Sequence, residues 1–318
     1  MFEIIENSTN PIIFKVIGIG GVGCSAINYM IDKGIQRVEI AAIDIETQTL
    51  NNNLAPTKLK IDITTPEHLV NHSEQVVGNA NIQTLAENVK SFLGKSDMIF
   101  VIAEMGGKFE TEISLIIANI AREMDILTMA IVAKQFAHEK DSIRYTNEGI
   151  MTLQKTVDSV IVIPQSQAKW IFSNKEAMPA SFTSANEFMH NAVSSIVELM
   201  YCDSMIGIDF ADLRVLFSKS GMAILGTGTG SGENRSSIAA EQAVSCLLAE
   251  DMDMSCLTGA LVNITCDESF TMSEYKEVMK HVRSTLSNDE TLVIVGTDIN
   301  KSMGGKFCVT IFAIGFNK

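Results

Sequence analysis

An apolar run, Ile12–Ile17, passes directly into Gly18-Ile19-Gly20-Gly21-Val22-Gly23 and then into residues with helical spacing. Ala26, Ile27, Met30 and Ile31 share one face of Ser25–Lys33, and Gly34 stops that segment. Buried strand, glycine turn and helix in that order commit the start of the chain to a βα unit. Glycines there let the backbone approach a phosphate, while the helix N-terminus supplies free N–H groups and partial positive charge. The same residues also suit a tight strand–helix turn with close packing. The next apolar run, Val38–Ile43, is followed by Asp44, 24 residues past Gly20. A dinucleotide enzyme places its ribose-binding acid near there, so an NAD-dependent dehydrogenase is one reading of the pattern.

The alternation continues. Met98–Ala103, Leu127–Ala133 and Val157–Ile163 read as further strands, and Ile113, Ile116, Ile117, Ile120 and Met124 mark one face of a helix between them. Strands separated by helices predict an α/β fold, a Rossmann-like parallel sheet covered on both faces. After Pro179 the texture changes. Phe182–Met200 reads as one long helix with Ala185, Met189, Val193, Ile196 and Met200 near a single stripe. Strands at Met222–Leu225, Gly259–Ile264, Thr291–Val295 and Phe307–Ile314 follow, separated by helices at Ser236–Ala249 and Ser273–Leu286. The predicted division is a nucleotide-binding domain at 1–178, a central connecting helix at 179–204 and a second α/β domain at 205–318.

Composition narrows the function. With 24 Lys+Arg against 38 Asp+Glu, a net charge of −14 repels phosphate backbones and anionic lipid, so no nucleic-acid partner is expected. The longest apolar runs, Met98–Ala103 and Ile126–Ala133, are too brief to span a bilayer, and the acidic start Met1–Glu6 is unlike a signal peptide. A cytoplasmic protein without direct membrane insertion is expected. Six cysteines form no C-x-x-C pair and read as buried thiols. His68 and His72, four apart in a polar stretch with no third ligand nearby, read as surface histidines, and no metal site is predicted.

Two motifs in the second half invite chemistry. Gly226-Thr227-Gly228-Thr229-Gly230-Ser231-Gly232 precedes a helix and reads as a strand-to-helix loop. Asp209 and Asp212, at i and i+3 after Gly207, put two carboxylates on one face of a helix turn, placed to hold a water or a cation. By spacing alone a helix start, whose acids oppose the dipole, is the favoured reading.

Taken in order, the glycine motif, the long joining helix, the Asp209/Asp212 pair and Gly232-Glu233-Asn234-Arg235 resemble FtsZ, the bacterial tubulin homologue of the cell-division ring. The resemblance runs from about Phe14 to Phe316. It implies the tubulin/FtsZ fold and head-to-tail filaments in which each junction completes one GTPase site. GTP or GDP, accompanied by Mg2+, is the implied ligand. Gly20, Gly21 and Gly23 match phosphate-loop positions, Glu139 a ribose-contacting acid and Phe182 a ring near the base. Asn186 stands where FtsZ has a guanine-reading aspartate. Asp209 and Asp212 match the two acids that position the attacking water on the nucleotide of the next subunit, while Gly207 replaces an asparagine of that loop.

Departures cluster around the phosphates. The family's G-G-G-T-G-T-G run reads Gly106-Gly107-Lys108-Phe109-Glu110-Thr111-Glu112 here. Side chains fill positions that bare glycine would leave open, and Glu110 and Glu112 supply the helix with anions of its own. A carboxylate roughly 5 Å from a phosphate charge costs about 3 kcal/mol at an effective dielectric of 20. His68, Val70 and His72 stand where a second glycine-rich segment is expected, Ala133-Lys134-Gln135 replaces Thr-Arg-Pro, and Gln165 replaces an asparagine. The resemblance thus implies an FtsZ-like cytoskeletal protein with weak or lost GTP hydrolysis. It would assemble with itself or with a fuller FtsZ. An active, slow GTPase whose Lys108 and Lys134 replace lost phosphate contacts is the alternative.

Overall fold

Strand β1, Phe14–Ile19, is buried along its whole length, as a six-residue apolar run must be if both of its faces are covered. Its even residues Phe14 and Val16 belong to one hydrophobic cluster and its odd residues Ile17 and Ile19 to another. The computed structural model describes residues 11–61, 80–134, 140–163, 178–201, 206–218, 221–248, 256–286 and 291–316.

Around β1 lie β2 (Val38–Asp44), β3 (Thr57–Lys60), β4 (Met98–Met105), β5 (Leu127–Lys134) and β6 (Ser159–Val162). All pair in parallel, in the order β3-β2-β1-β4-β5-β6. Helix α1 (Gly20–Asp32) packs on one face of this sheet, and α3 (Ala80–Leu93) and α4 (Lys108–Glu123) pack on the other; α2 (Thr47–Asn51) is a short link and α5 (Lys140–Thr156) precedes β6. The sheet then continues. β6 pairs in parallel with β7 (Gly221–Gly230) through Ser159↔Gly221, Val160↔Met222 and Ile161↔Ala223. β10 (Phe307–Phe316) runs antiparallel between β7 and β8 (Gly259–Cys266), and β9 (Leu292–Ile299) closes the edge, making one ten-stranded sheet. Between the two halves of the chain, α6 (Met178–Tyr201) carries Met189, Ala192, Val193 and Ile196 into the cluster that holds Phe100 and Ile102 from the first half and Leu216 and Phe312 from the second.

The glycine-rich run of the second half is strand, not loop. Gly226, Gly228 and Gly230 fall at period two on the face of β7 that meets α8 (Arg235–Leu248). A methyl group on them would lie 2.2 Å from the Ala243 carbonyl oxygen, 2.1 Å from that of Ala239 and 2.1 Å from that of Arg235. These glycines exist to let a helix backbone settle on a strand, which accounts for the run without a ligand. Because the obstruction is backbone, it cannot rotate away. Gly228→Val is expected to lower unfolding free energy by about 3 kcal/mol, checked by urea denaturation.

The cysteine expectation holds for Cys24 and Cys266, which are buried, but Cys246 and Cys256 are exposed. Cys246, on α8, is exposed yet reaches β7, its thiol donating to the Thr227 carbonyl at 3.6 Å. Among the described residues, no helix is long and apolar enough to cross a membrane.

Candidate functional site

In a parallel sheet, ligands bind beyond the carboxyl ends of the strands, where the winding reverses. Here the chain leaves β1 toward β2 and leaves β4 toward β5, so the crevice lies between β1 and β4. Both glycine turns open into it: Gly20–Gly23 after β1 and Gly106–Gly107 after β4.

The glycines do different work. Gly20 has φ +67°, a left-handed conformation that favours glycine. Gly21 faces open space, with nothing within 4 Å of a methyl placed on it. Gly23 is a packing glycine, since its methyl would lie 2.5 Å from the Ile102 carbonyl oxygen of β4. Gly106 has φ +126°, and Gly107 is the N-cap residue of α4. Neither α1, capped by Ile19, nor α4, capped by Gly107, receives a side-chain cap from its N-cap residue.

The space between the turns is taken by Glu110. A methyl on Gly20 would lie 2.6 Å from its Cγ and Oε1, and one on Gly107 would lie 2.0 Å from its Oε2. Burial pushes the Glu110 carboxyl above its usual range; its own backbone N–H pulls it back and Asp44 adds to the rise. Glu104, at the end of β4, is pushed up to about 7 by burial and then by Glu110. Burial also lifts Glu112 to about 7, with Lys108 opposing. Glu104 Oε1 and Glu112 Oε2 are buried without a hydrogen-bond partner among the described residues. Glu104 was invisible as a site residue in the sequence, although a lone acid closing an apolar strand was a usable signal.

Asn186, on α6, is buried, and its amide donates to the Ser25 hydroxyl of α1 at 3.0 Å. Phe182 lies within α6, but its side chain is outside the described residues, as are Glu139, His68 and His72 altogether. Asp44 caps its own turn, accepting from the Glu46 N–H at 3.0 Å.

Asp209 and Asp212 lie apart from this crevice, exposed at the start of α7 (Phe210–Phe217). They form a capping box: the Asp212 N–H donates to Asp209 Oδ1 at 2.8 Å, and the Asp209 N–H donates to Asp212 Oδ2 at 3.3 Å. The helix-start role is therefore real, and it fixes both carboxylates at the surface. Arg214 of the same helix donates to Asp125 Oδ2 at 2.8 Å and to the Asp125 carbonyl at 2.7 Å, tying α7 to the turn between α4 and β5. Ile206 N–H donates to Thr297 Oγ1 of β9 at 3.1 Å, holding the loop from its other end. Among the described residues, no group of three or more His, Cys, Asp or Glu is arranged to hold a metal ion.

A doubly wound sheet with two glycine turns at its switch point, a long helix shared by both halves and a surface acidic loop defines the tubulin-like class of α/β nucleotide-binding folds. The model for the tubulin/FtsZ family GTPase domain matches residues 13–173, and that for the FtsZ family C-terminal domain matches residues 221–317. Cell division protein FtsZ of Buchnera aphidicola is 37% identical over 316 residues, covering 99% of this chain and 82% of that protein. The Pseudomonas aeruginosa FtsZ is 34% identical, covering 99% of this chain and 80% of that protein. An empty FtsZ dimer from M. jannaschii superposes with a TM-score of 0.81 at 29% identity, covering 97% of this chain and 89% of that one. The chain belongs to the FtsZ family. That membership displaces the dehydrogenase reading of Gly18–Gly23 and Asp44.

Proposed function

We propose that this chain is a cytoplasmic FtsZ-like filament protein, acting in cell division or a related remodelling process, that assembles head to tail with weak or lost GTP turnover. The observation that carries the reading is an asymmetry. The acids offered to a neighbouring subunit, Asp209 and Asp212, are exposed and braced, whereas the protein's own phosphate crevice is filled by Glu110. Residues 1–178 would form the nucleotide-type domain, 179–204 the joint and 205–318 the domain presenting the acids. Gly20, Gly21, Gly106 and Gly107 would face a nucleotide's phosphates and Asn186 its base, with Glu139 and Phe182 assigned by resemblance. Asn186 offers both donor and acceptor, so it would read guanine less strictly than a carboxylate. With Glu110 in place the crevice does not fit a terminal phosphate.

Such a protein can polymerise alone or join a fuller FtsZ and complete its partner's GTPase site. Sedimentation and electron microscopy of the purified chain test this. Polymer formed without nucleotide and changed little by GTP or GDP is expected; polymer strictly dependent on GTP would sink the reading. A slow GTPase with remodelled phosphate contacts is the second reading. It is favoured by the pairing Met105↔Lys134, which sets Lys134 beside the Gly106 turn, and by Lys108 opening α4.

A further inference from the structure

We propose that Glu110 gates this crevice as a specificity-determining residue, an internal anion that holds the place of a phosphate and yields it when the carboxyls around it take up protons. The inference rests on the reading of the crevice given above and adds how nucleotide entry is regulated.

Geometry places the gate. The Glu110 carboxylate lies against Gly20 on one side and Gly107 on the other, so it fills the space between the β1 and β4 turns from which a phosphate would contact both. α1 has no acid in its first turn, and α4 has Glu110 there. The positive ends of both helices therefore converge on a single built-in anion.

Charge makes the gate proton-dependent. Asp44 reaches Glu110 electrostatically from β2 and Glu104 from β4, while the β1 turn meets it at Gly20 and α1 carries Cys24, whose thiol is pushed up to about 12 by burial and by Asp44. On α4 itself stand Glu112 and Lys108, which interact with each other, and Tyr145 of α5 faces Glu112. Glu110, Asp44 and Glu104 thus stand at the place where a polyphosphate would add further negative charge, with Lys108 opening α4 and Lys134 beside the Gly106 turn as opposing charges, while Glu112 is turned toward α5. Bound nucleotide favours the protonated forms of Glu110 and Glu104, both raised by burial, so affinity falls as pH rises through their folded-state values, about 7 for Glu104. A carboxyl with that value goes from about nine-tenths protonated at pH 6 to about one-tenth at pH 8. Each proton required therefore changes affinity by about tenfold across the interval.

The test is calorimetric titration of the full chain with GDP at pH 6, 7 and 8, for the native protein, Glu110→Gly and Glu110→Gln. The nucleotide's own protonation is common to all three and cancels in the comparison. Native affinity is expected to rise about tenfold or more from pH 8 to pH 6. Both variants are expected to bind more tightly than native at pH 8 and to show a flatter pH profile. A native profile no steeper than that of the variants, or variants no tighter than native at pH 8, overturns the gate; absence of binding by all three is the second of these results. Circular dichroism checks folding. If glycine at the third position of α4 unfolds the protein, the glutamine variant, which keeps helix propensity and loses charge, decides. Sedimentation of the same native preparation without nucleotide reads the filament proposal separately. GTP-requiring polymers would sink that proposal and leave the gate standing, whereas unresponsive variants sink the gate and leave nucleotide-free filaments untouched.

Discussion

In a mixture with a GTP-hydrolysing FtsZ, Asp212→Asn is expected to remove the hydrolysis that this chain contributes at shared junctions, a loss of about 100-fold there. Asparagine is the informative replacement because Asp209 and Asp212 also form the capping box of Phe210–Phe217. An amide oxygen can still accept the hydrogen bond that the Asp209 N–H gives to Asp212 Oδ2 at 3.3 Å, and asparagine caps helices about as well as aspartate. The helix start survives while the negative charge that would orient an attacking water goes. Asp209→Asn should behave alike, whereas alanine at either position would confound the two roles through a cap loss of about 1 kcal/mol. Phosphate release from the mixture, with copelleting as the control for assembly, reads the result. Unchanged hydrolysis with Asp212→Asn would leave the pair as a cap and nothing more. The bracing predicts a companion effect. Arg214 ties this helix to Asp125, an exposed pair whose loss should cost stability little, about 1 kcal/mol or less, so any effect of Arg214→Ala on the mixture's hydrolysis reports loop placement.

What the amino-acid sequence displays depends on whether the determining contact is local. β1 is legible because burial on both faces writes itself as an uninterrupted apolar run, and α1 because its apolar residues repeat at helical spacing. β3 (Thr57–Lys60) alternates Thr-Lys-Leu-Lys at a sheet edge and is too short to stand out, and α5 has few apolar residues to mark a face. Gly226–Gly230 looks like a loop because glycine is a poor strand former. Its strand character comes from pairing with β10, distant in the chain, and its need for glycine from the carbonyls of Ala239 and Ala243 on the helix that follows it. The crevice shows the same limit. Glycine turns and the Gly106–Glu112 departures are readable in order, but that Glu110 folds back between Gly20 and Gly107 follows from β1 and β4 being neighbours in the sheet. Likewise Glu104 becomes abnormal only through burial beside Glu110.

Arg235 is the strongest instance of a distant determinant, and its removal should have a large effect on stability. It opens α8 buried, with Nε donating to Glu274 Oε1 at 2.6 Å, Nη1 to Asp267 Oδ1 at 3.4 Å and to the Gly305 carbonyl at 3.2 Å, and Nη2 to Ser269 Oγ at 2.9 Å. One guanidinium thus joins α8, the segment after β8, the start of α9 (Met272–Thr285) and the turn before β10. Its face also lies 5.6 Å from the centre of the Phe307 ring. Arg235→Ala would leave two carboxylates facing a cavity, and unfolding free energy is expected to fall by about 3 kcal/mol, the lower end for a buried pair because Glu274 and Asp267 keep 16% and 20% side-chain exposure. Arg235→Lys should recover less than half, since an ammonium keeps the charge but cannot donate to four groups in the plane of a fork. The pH dependence carries a further mark. Hydrogen bonds from Ser269 and Gly305, with Arg235 adding to them, hold Asp267 down at about 2; for Glu274 burial pushes upward, but bonds from Arg235 and Thr271 outweigh it. Lowered carboxyls stabilise the fold above their unfolded values near 4 and lose that contribution as pH falls toward about 2. From pH 6 down to pH 3 the gap in urea midpoint between the native chain and Arg235→Ala should therefore narrow, since the variant has already lost part of that stabilisation. The raised carboxyls of Glu104, Glu110 and Glu112, which stabilise the fold on acidification, act alike in both. A variant with a native midpoint at pH 6 would show that the network is held together by its acids, serines and backbone without the arginine.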